Sequence, residues 1–378
     1  MKITGVQVLE FRRRLDGRSW NPAFRWTERR APLLVIETDA GAVGIGEAWS
    51  RQPLIGRVLD DLADRCAPAL LGRAPSSLAP FVASLGVQES DWASAASASA
   101  IDMAAWDLVA QAKGEPLWRA LGGTSGRIRV YASGGLYRDD ATLDDLALEF
   151  ADYAARGFAA MKMKGGALAL DADIARVRTV RSAIGDATLW VDAVNQLTPS
   201  TAAQWCQALA RFDVEAIQAP LAFADIAGMA RINRSLMPVV ATEAEHRESA
   251  FRALLDANAV TYLQYCLGLS GGFTGAARLD DVASQHRVRT TPQCFSTAVM
   301  QAASLHFGAA RDNVVAGEYH RFHDHLAVCL PSAMRTVESG FVELDDAPGL
   351  GVRAPALGEQ PCGGEILLHR RVTARHPG

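Results

Sequence analysis

The sequence predicts an α/β fold in which a parallel barrel follows a smaller α+β domain. The first observation is that, after about residue 126, short apolar runs alternate with amphipathic helical patterns, and the run ends recur roughly every 25 residues, the length of one βα unit. The second is that the N-terminal residues instead alternate apolar and polar positions, as antiparallel strands do. The third is that polar or ionisable side chains stand at the end of most apolar runs, where a barrel carries its functional groups.

Composition limits the kind of protein this is. At 378 residues the chain is longer than one compact core usually supports, and 49% hydrophobic with 21% charged residues is typical of a globular protein. A net charge of −4 with interspersed signs argues against nucleic-acid or polybasic membrane binding. The six cysteines have no CxxC spacing, which argues against a zinc knuckle or a disulfide framework. Because the sequence also lacks a signal-peptide pattern and a long apolar run, we expect a cytoplasmic protein with a small-molecule partner, and a homo-oligomer by default.

The N-terminal elements come first. Alternating residues in Met1–Arg14, and the run Pro32–Thr38 with its Gly-rich turn leading to Glu47, predict an antiparallel sheet. Between them, the aromatic loop Ser19–Trp26 is either packed on its own rings or a lid over a ligand. Three-to-four spacing of apolar residues then predicts helices over 54–121, including a Ser- and Ala-rich stretch that allows close packing.

Eight apolar runs make up the predicted barrel. An open doubly wound sheet is the alternative, but it would need a Gly-rich phosphate loop after an early strand, and the sequence has none. The predicted strands are Ile128–Ser133, Ala159–Lys164, Thr188–Asp192, Val214–Gln218, Pro238–Glu243, Val260–Cys266, Val288–Gln293 and Asn313–Glu318. Their ends carry Lys162, Lys164, Asp192, Gln218, Glu243, Cys266, Gln293 and Glu318.

The pair of lysines is the central feature of these strand ends. Lys162 and Lys164 are two residues apart on a strand, so both side chains point to the same face. Two buried ammonium groups repel each other, and we expect each to lower the pKa of the other, which would make a lysine a base near neutral pH. The alternative is a solvated strand end.

Two acidic strand ends add a possible metal site. Asp192 and Glu243 offer the oxygen ligands that Mg²⁺ prefers, although both could instead pair with the lysines. Beyond the last strand lies an irregular stretch that contains His320, His323 and His325. Three nearby histidines are compatible with a transition-metal site, but their spacing better suits a solvated loop with one functional histidine.

Taken together, these motifs resemble the enolase superfamily, and within it the mandelate racemase and muconate lactonizing enzyme group. The likeness runs nearly end to end. It includes Asp39–Glu47 with Ala48 and Trp49, the helix Ala100–Leu108, the stretch Pro116–Gly123, the pair Lys162 and Lys164, Val191 with Asp192, and Ser270–Gly272.

The resemblance implies a modified (β/α)7β TIM-type barrel with an α+β capping domain. On that basis, 1–125 forms the N-terminal part of the cap, 126–322 the barrel, and 323–378 the segment that completes the cap. The group abstracts a proton next to a carboxylate, with Mg²⁺ held by three carboxylates. Carried over, Lys164 would be the base, Lys162 would orient the substrate carboxylate, and Asp192 and Glu243 would bind the metal. Glu318 matches the acidic residue of the eighth strand.

Several positions depart from the group's pattern. Gln218 stands in place of the second acidic ligand, so we expect weakened Mg²⁺ binding. Gln293 stands where the racemases have a catalytic histidine, and Cys266 where they have its aspartate partner. Val194 takes the place of an asparagine. The third ligand is aligned to Glu243, but Glu245 and His246 are close enough in sequence to replace it.

The remaining residues favour one-base chemistry, because racemisation needs an acid and a base on opposite faces of a carbon. We therefore expect dehydration of a sugar acid or another small hydroxy acid. The alternatives are an isomerase, epimerase or cycloisomerase of the same substrates, with an acid from the 320–325 segment or the 20–26 loop, and a degenerate, metal-poor barrel that binds a small acid without turnover. Cys266 or Cys294 as acid or nucleophile is a weaker alternative. The predicted substrate-binding residues are Trp20, Arg25, Trp26, Gln293 and His320.

Overall fold

The structure, a computed structural model, describes residues 1–84, 91–242, 244–321 and 330–374. Its strands in chain order are β1 (Ile3–Arg14), β2 (Ser19–Trp20), β3 (Glu28–Thr38), β4 (Val43–Glu47), β5 (Arg127–Gly134), β6 (Tyr137–Arg138), β7 (Ala160–Lys164), β8 (Thr188–Asp192), β9 (Val214–Gln218), β10 (Val239–Ala241), β11 (Tyr262–Cys266), β12 (Arg289–Gln293), β13 (Gly317–His320), β14 (Phe341–Glu343) and β15 (Glu365–Thr373). Its helices are α1 (Ile55–Asp60), α2 (Ala67–Leu70), α3 (Leu78–Ser84), α4 (Trp92–Lys113), α5 (Leu117–Ala120), α6 (Leu143–Ala155), α7 (Leu170–Ile184), α8 (Pro199–Leu209), α9 (Ile226–Ser235), α10 (Glu248–Asp256), α11 (Gly272–Gln285), α12 (Ala298–Ala310) and α13 (Ser332–Arg335).

A four-stranded antiparallel sheet forms the core of the N-terminal part. Its strand order is β15-β1-β3-β4, so the last described strand of the chain returns to the first. The Ala- and Ser-rich helix α4 packs on this sheet so closely that a Cβ at Gly46 would overlap the carbonyl of Ala100. The small residues therefore serve close packing, as the sequence predicts.

The barrel follows, with the parallel strand order β12-β11-β10-β9-β8-β7-β5-β13. It closes between β12 and the segment before β13, where the amide of Thr290 donates to the carbonyl of Asn313 (3.1 Å) and the amide of Val315 donates to Thr290 (2.9 Å). Each of the eight predicted strands overlaps an observed one. The predicted parallel barrel with an α+β cap is confirmed.

The helices between barrel strands begin at residues suited to that role. Thr142 at the start of α6 and Thr198 at the start of α8 each form a capping box with the residue three positions later. Helices with one buried face cover the outside of the barrel, and residues of the N-terminal part line the same cavity as the carboxyl ends of its strands. This arrangement encloses the ends of the strands.

Several contacts fasten the cap to the barrel, among them a pair of short strands and a buried carboxylate. The short strands β2 and β6 pair, and the ring of Trp20 stacks on Tyr137 at 4.7 Å. At the end of β4, the buried carboxylate of Glu47 accepts hydrogen bonds from the hydroxyl (2.5 Å) and amide (3.2 Å) of Thr297 and from the amide of Met300 (3.0 Å), at the start of α12. The domain boundaries near 125 and 322 stay a prediction. Over the described residues, no helix combines the length and apolar character that crossing a membrane requires.

Candidate active site

A cavity of about 240 Å³ lies between the cap and the carboxyl ends of the barrel strands. Its wall contains seven of the residues predicted from sequence, namely Trp26, Lys162, Lys164, Gln218, Gln293, Glu318 and His320. Asp192 is fully buried beside them and bonds to both lysines. Glu243 lies outside the described residues, as do His323 and His325.

Four charged side chains form one network at the mouth of the barrel. Lys164 donates from Nζ to Oδ2 of Asp192 at 2.5 Å. Lys162 reaches the same oxygen at 3.3 Å and Oε1 of Glu318 at 2.7 Å. The network thus brings two lysines into contact with two carboxyl groups.

Strand geometry explains why these residues meet. Lys162 and Lys164 alternate with buried methionines on β7, so both turn inward. Lys164 is in register with Asp192 on β8. On the other side of β7 comes β5 and then β13, which supplies Glu318. Only the side chain of Lys164 keeps an appreciable exposed fraction, 11% against 2% for Lys162.

The electrostatics of Lys162 correct one expectation. Burial by itself would lower the pKa of Lys162, but the charges of Glu318 and Asp192 outweigh it and raise the pKa well above its ordinary value. The sequence predicts a lowered pKa for Lys162, and the direction in the structure is the opposite. Burial likewise opposes the charge of Asp192, yet the two lysines hold the pKa of Asp192 below its usual value. The contacts of Lys162 with Glu318 and Asp192 therefore favour its ammonium form.

The described residues do not by themselves fit a magnesium ion. Asp192 already accepts from both lysines at Oδ2 and from the amide of Val194 at Oδ1 (3.0 Å), and Gln218 is neutral. Glu245 is engaged elsewhere, by two hydrogen bonds from the guanidinium of Arg247 at 3.0 and 2.7 Å. Over the described ranges, no cluster of three His, Cys, Asp or Glu residues could hold a metal. Magnesium binding stays a prediction.

Two of the predicted substrate-binding residues lie away from the cavity. Arg25 forms a bidentate ion pair with Asp139, at 2.6 and 3.0 Å, and Trp20 donates from its indole nitrogen to the same carboxylate at 3.0 Å. Both side chains therefore fasten the 19–26 loop to the barrel, and the structure does not bring them to the cavity wall. The acidic partner follows β6, more than a hundred residues away in sequence.

Arg29 and Phe295 are among the residues of the cavity wall that sequence reasoning missed. Arg29, on β3, holds its guanidinium carbon 3.8 Å from the ring centre of Phe295, and the same ring lies 4.4 Å from that of His320. The alternation of residues along β3 could have indicated the position of Arg29, because Arg29 shares a strand face with the inward-facing Ala31 and Leu33. This indication was weak, because consecutive residues of β3 are buried on both faces and the alternation does not single out one of them.

The buried thiols give no support to cysteine chemistry. Burial raises the pKa of Cys294 well above its ordinary value, and nearby Glu318 raises it further. The amide of Cys294 donates to Oε2 of Glu318 at 3.1 Å. Cys294 therefore helps to hold the carboxylate, with its own thiol protonated.

A capped parallel barrel with lysines and carboxylates at its strand ends defines a barrel enzyme that works at those ends. Two family models cover most of the chain. Residues 24–122 match the mandelate racemase / muconate lactonizing enzyme N-terminal domain, and residues 145–356 match the enolase C-terminal domain-like model. The chain belongs to the mandelate racemase and muconate lactonizing enzyme group of the enolase superfamily, which confirms the resemblance seen in the sequence.

Relatives with known names extend this assignment. The chain is 30% identical over 368 residues to D-galactarolactone cycloisomerase of Agrobacterium fabrum, covering 93% of this chain and 96% of the relative. It is 26% identical over 351 residues to D-galactonate dehydratase of Ralstonia nicotianae, covering 87% and 91%. Among solved structures, a racemase from Streptomyces coelicolor with bound magnesium superposes with a TM-score of 0.83 at 26% identity, over 93% of this chain and 97% of that one.

Proposed function

We propose that this enzyme removes the proton next to the carboxylate of a sugar acid and expels water from the adjacent carbon, which makes it a sugar acid dehydratase. The observation that carries the proposal is the network of Lys162, Lys164, Asp192 and Glu318 in the cavity wall. Four ionisable side chains held together in a buried network are costly to assemble, and such groups concentrate at functional sites. The named dehydratase relative supports the same reaction.

Lys164 is the base in this proposal. Its side chain is the more exposed of the two lysines and lines the cavity, so a substrate can reach its nitrogen. Lys162 keeps its proton because Glu318 and Asp192 surround it, and it supplies a fixed positive charge. That charge orients the substrate carboxylate and opposes the negative charge that develops on it during proton removal.

The elimination requires an acid as well as a base. Lys164 takes the proton from the carbon beside the carboxylate, and the released electron pair forms a double bond to the neighbouring carbon. The hydroxyl on that neighbour leaves with a proton and becomes water, after which the enol rearranges to a 2-keto acid. We assign the proton donor to His320, which lines the same cavity two residues beyond Glu318 on the same face of β13.

The test is turnover of a panel of pentonic, hexonic and hexaric acids in D₂O, followed by NMR. Wild-type enzyme should form a 2-keto acid and lose one water. Lys164→Met should lower the rate by about a thousandfold, the usual range for loss of a general base. Thermal melting of each variant checks folding. Unchanged turnover by Lys164→Met, or deuterium exchange without loss of water, would contradict the proposal.

A second candidate, cycloisomerisation, is favoured by the likeness to D-galactarolactone cycloisomerase. The chemistry is closely related. If the leaving oxygen belongs to a ring of the substrate, the same elimination opens the ring, and the product has the mass of the substrate. Mass spectrometry of the product from a lactone and from its open acid therefore separates the two candidates.

A further inference from the structure

Arg29 presents a positive charge to the cavity from the cap. Its Nη2 donates to the carbonyl of Phe295 at 2.9 Å, and its guanidinium lies over the ring of Phe295. Within the described part of the chain, no carboxylate oxygen lies within 4.0 Å of its nitrogens, and its buried Nε has no hydrogen-bond partner. Arg29 is partly buried, and its side chain forms part of the cavity wall.

The other cations of the cavity wall are accounted for. Lys162 and Lys164 pair with carboxylates of the network, and Arg30 pairs with Glu10. Arg51 is exposed and its guanidinium stacks on Trp92. Removal from water lowers the pKa of Arg29 to about 9, against the opposing charge of Glu47, so it is still charged at neutral pH.

A guanidinium held out of water is unfavourable when no carboxylate contacts it directly, and the more distant charge of Glu47 offsets only part of this cost, so a ligand that supplies a contacting negative charge is favoured. Its planar donors match a carboxylate, which can accept two parallel hydrogen bonds. The wall is continuous from Arg29 through Phe295 and His320 to Glu318 and the lysines, so one substrate can contact both the cap and the barrel residues.

We propose that Arg29 binds a second carboxylate of the substrate, at the end opposite the reacting one. The preferred substrate class is then a sugar acid with a carboxylate at each end. This inference rests on the proposed function, because it assumes that the lysines hold the reacting end. A competing explanation is that Arg29 only ties the cap to the barrel through the carbonyl of Phe295.

The experiment compares a hexaric acid with the hexonic acid that matches it carbon for carbon except for one terminal carboxylate. Calorimetry gives Kd and assays give kcat/KM for wild type, Arg29→Met and Arg29→Lys. The control is Arg12→Met, since Arg12 pairs with Glu28 (3.1 Å) on the same sheet and is not part of the cavity wall. Wild type should prefer the hexaric acid. Arg29→Met should weaken its binding by about a hundredfold while changing hexonic acid binding less than about threefold, and Arg29→Lys should recover part of the loss.

The outcomes separate this inference from the proposed function. If Arg29-dependent hexarate binding occurs without turnover of either acid, the second-carboxylate site stands and the dehydratase proposal fails. If both acids are turned over with equal kcat/KM, the dehydratase proposal stands and the role of Arg29 is overturned. If a folded Arg29→Met variant loses affinity equally for both acids, Arg29 only ties the cap to the barrel and the inference is overturned. Failure of the hexaric acid to bind wild-type enzyme would also overturn the inference.

Discussion

Lys162 places its Nζ 2.7 Å from Oε1 of Glu318, although their strands β7 and β13 lie on opposite sides of β5. Both side chains are almost completely buried. The pair therefore spans three neighbouring strands, and it sets the protonation state of the central ammonium group.

We expect the contributions of Lys162 and Glu318 to the free energy of unfolding to be coupled and not additive. Lys162→Met leaves the carboxylate of Glu318 buried without its cation, and we expect the free energy of unfolding to fall by about 3–5 kcal/mol. Glu318→Gln in the same chain removes that charge and should recover much of the loss. Urea unfolding of both single variants and the double variant measures the coupling. The exposed pair Arg156 and Asp152 is the control, at about 0–1 kcal/mol, and simple additivity at the buried pair would contradict the assignment.

His306 should make stability depend on pH. Its Nδ1 accepts from the amide of Trp118 at 3.0 Å and its Nε2 lies 3.2 Å from the carbonyl of Leu350, so the fold holds it neutral. Burial lowers the pKa of His306 to about 4, against an unfolded value of about 6.5. The unfolded chain therefore binds more protons than the folded one between these two pKa values. Neutral His306 contributes about 3 kcal/mol to the free energy of unfolding; this contribution is complete above pH ~6.5 and is lost as the pH falls to about 4.

The measurement is urea unfolding as a function of pH. His306→Asn keeps an acceptor for the amide of Trp118 but cannot be protonated in this range. It should flatten the slope of the free energy of unfolding between about pH 4 and 6.5 relative to wild type. An unchanged slope would show that His306 does not carry this dependence.

The loop over the cavity should affect substrate binding more than chemistry. The carboxylate of Asp139 accepts hydrogen bonds from Arg25 and Trp20, while Asn21 and Trp26 of the same loop line the cavity. We expect Asp139→Ala to raise KM by roughly threefold or more with kcat nearly unchanged, because the loop then closes less often. Steady-state kinetics and the rate of tryptic cleavage at Arg25 measure this. Asp346→Ala, which breaks the exposed pair with Arg119, is the control, and a fall in kcat alone would contradict the expectation.

Features set by residues close together in the sequence could be predicted, whereas features set by contacts between distant residues could not. The barrel strands were predictable because strand and helix alternate locally, and the ends at Asp192 and Gln218 coincide with the observed ones. The raised pKa of Lys162 was not predictable, since its cause, Glu318, lies 156 positions further along the chain and only its lysine neighbour is visible locally. The place of Arg29 was hidden because its partner, Phe295, lies in a loop of the barrel.

Gln218 gives the last prediction, which concerns magnesium. The described donors near it are one carboxylate shared by two lysines and one neutral amide, so wild-type enzyme should bind Mg²⁺ weakly in calorimetry. Gln218→Glu adds a negative charge at the end of β9, next to Asp192, and should tighten binding by roughly tenfold or more, because affinity for hard cations follows ligand charge. Asp192→Asn should abolish binding in both backgrounds. Equal affinity in wild type and Gln218→Glu would mean that this position does not contribute to the ion, and that other oxygen donors hold it.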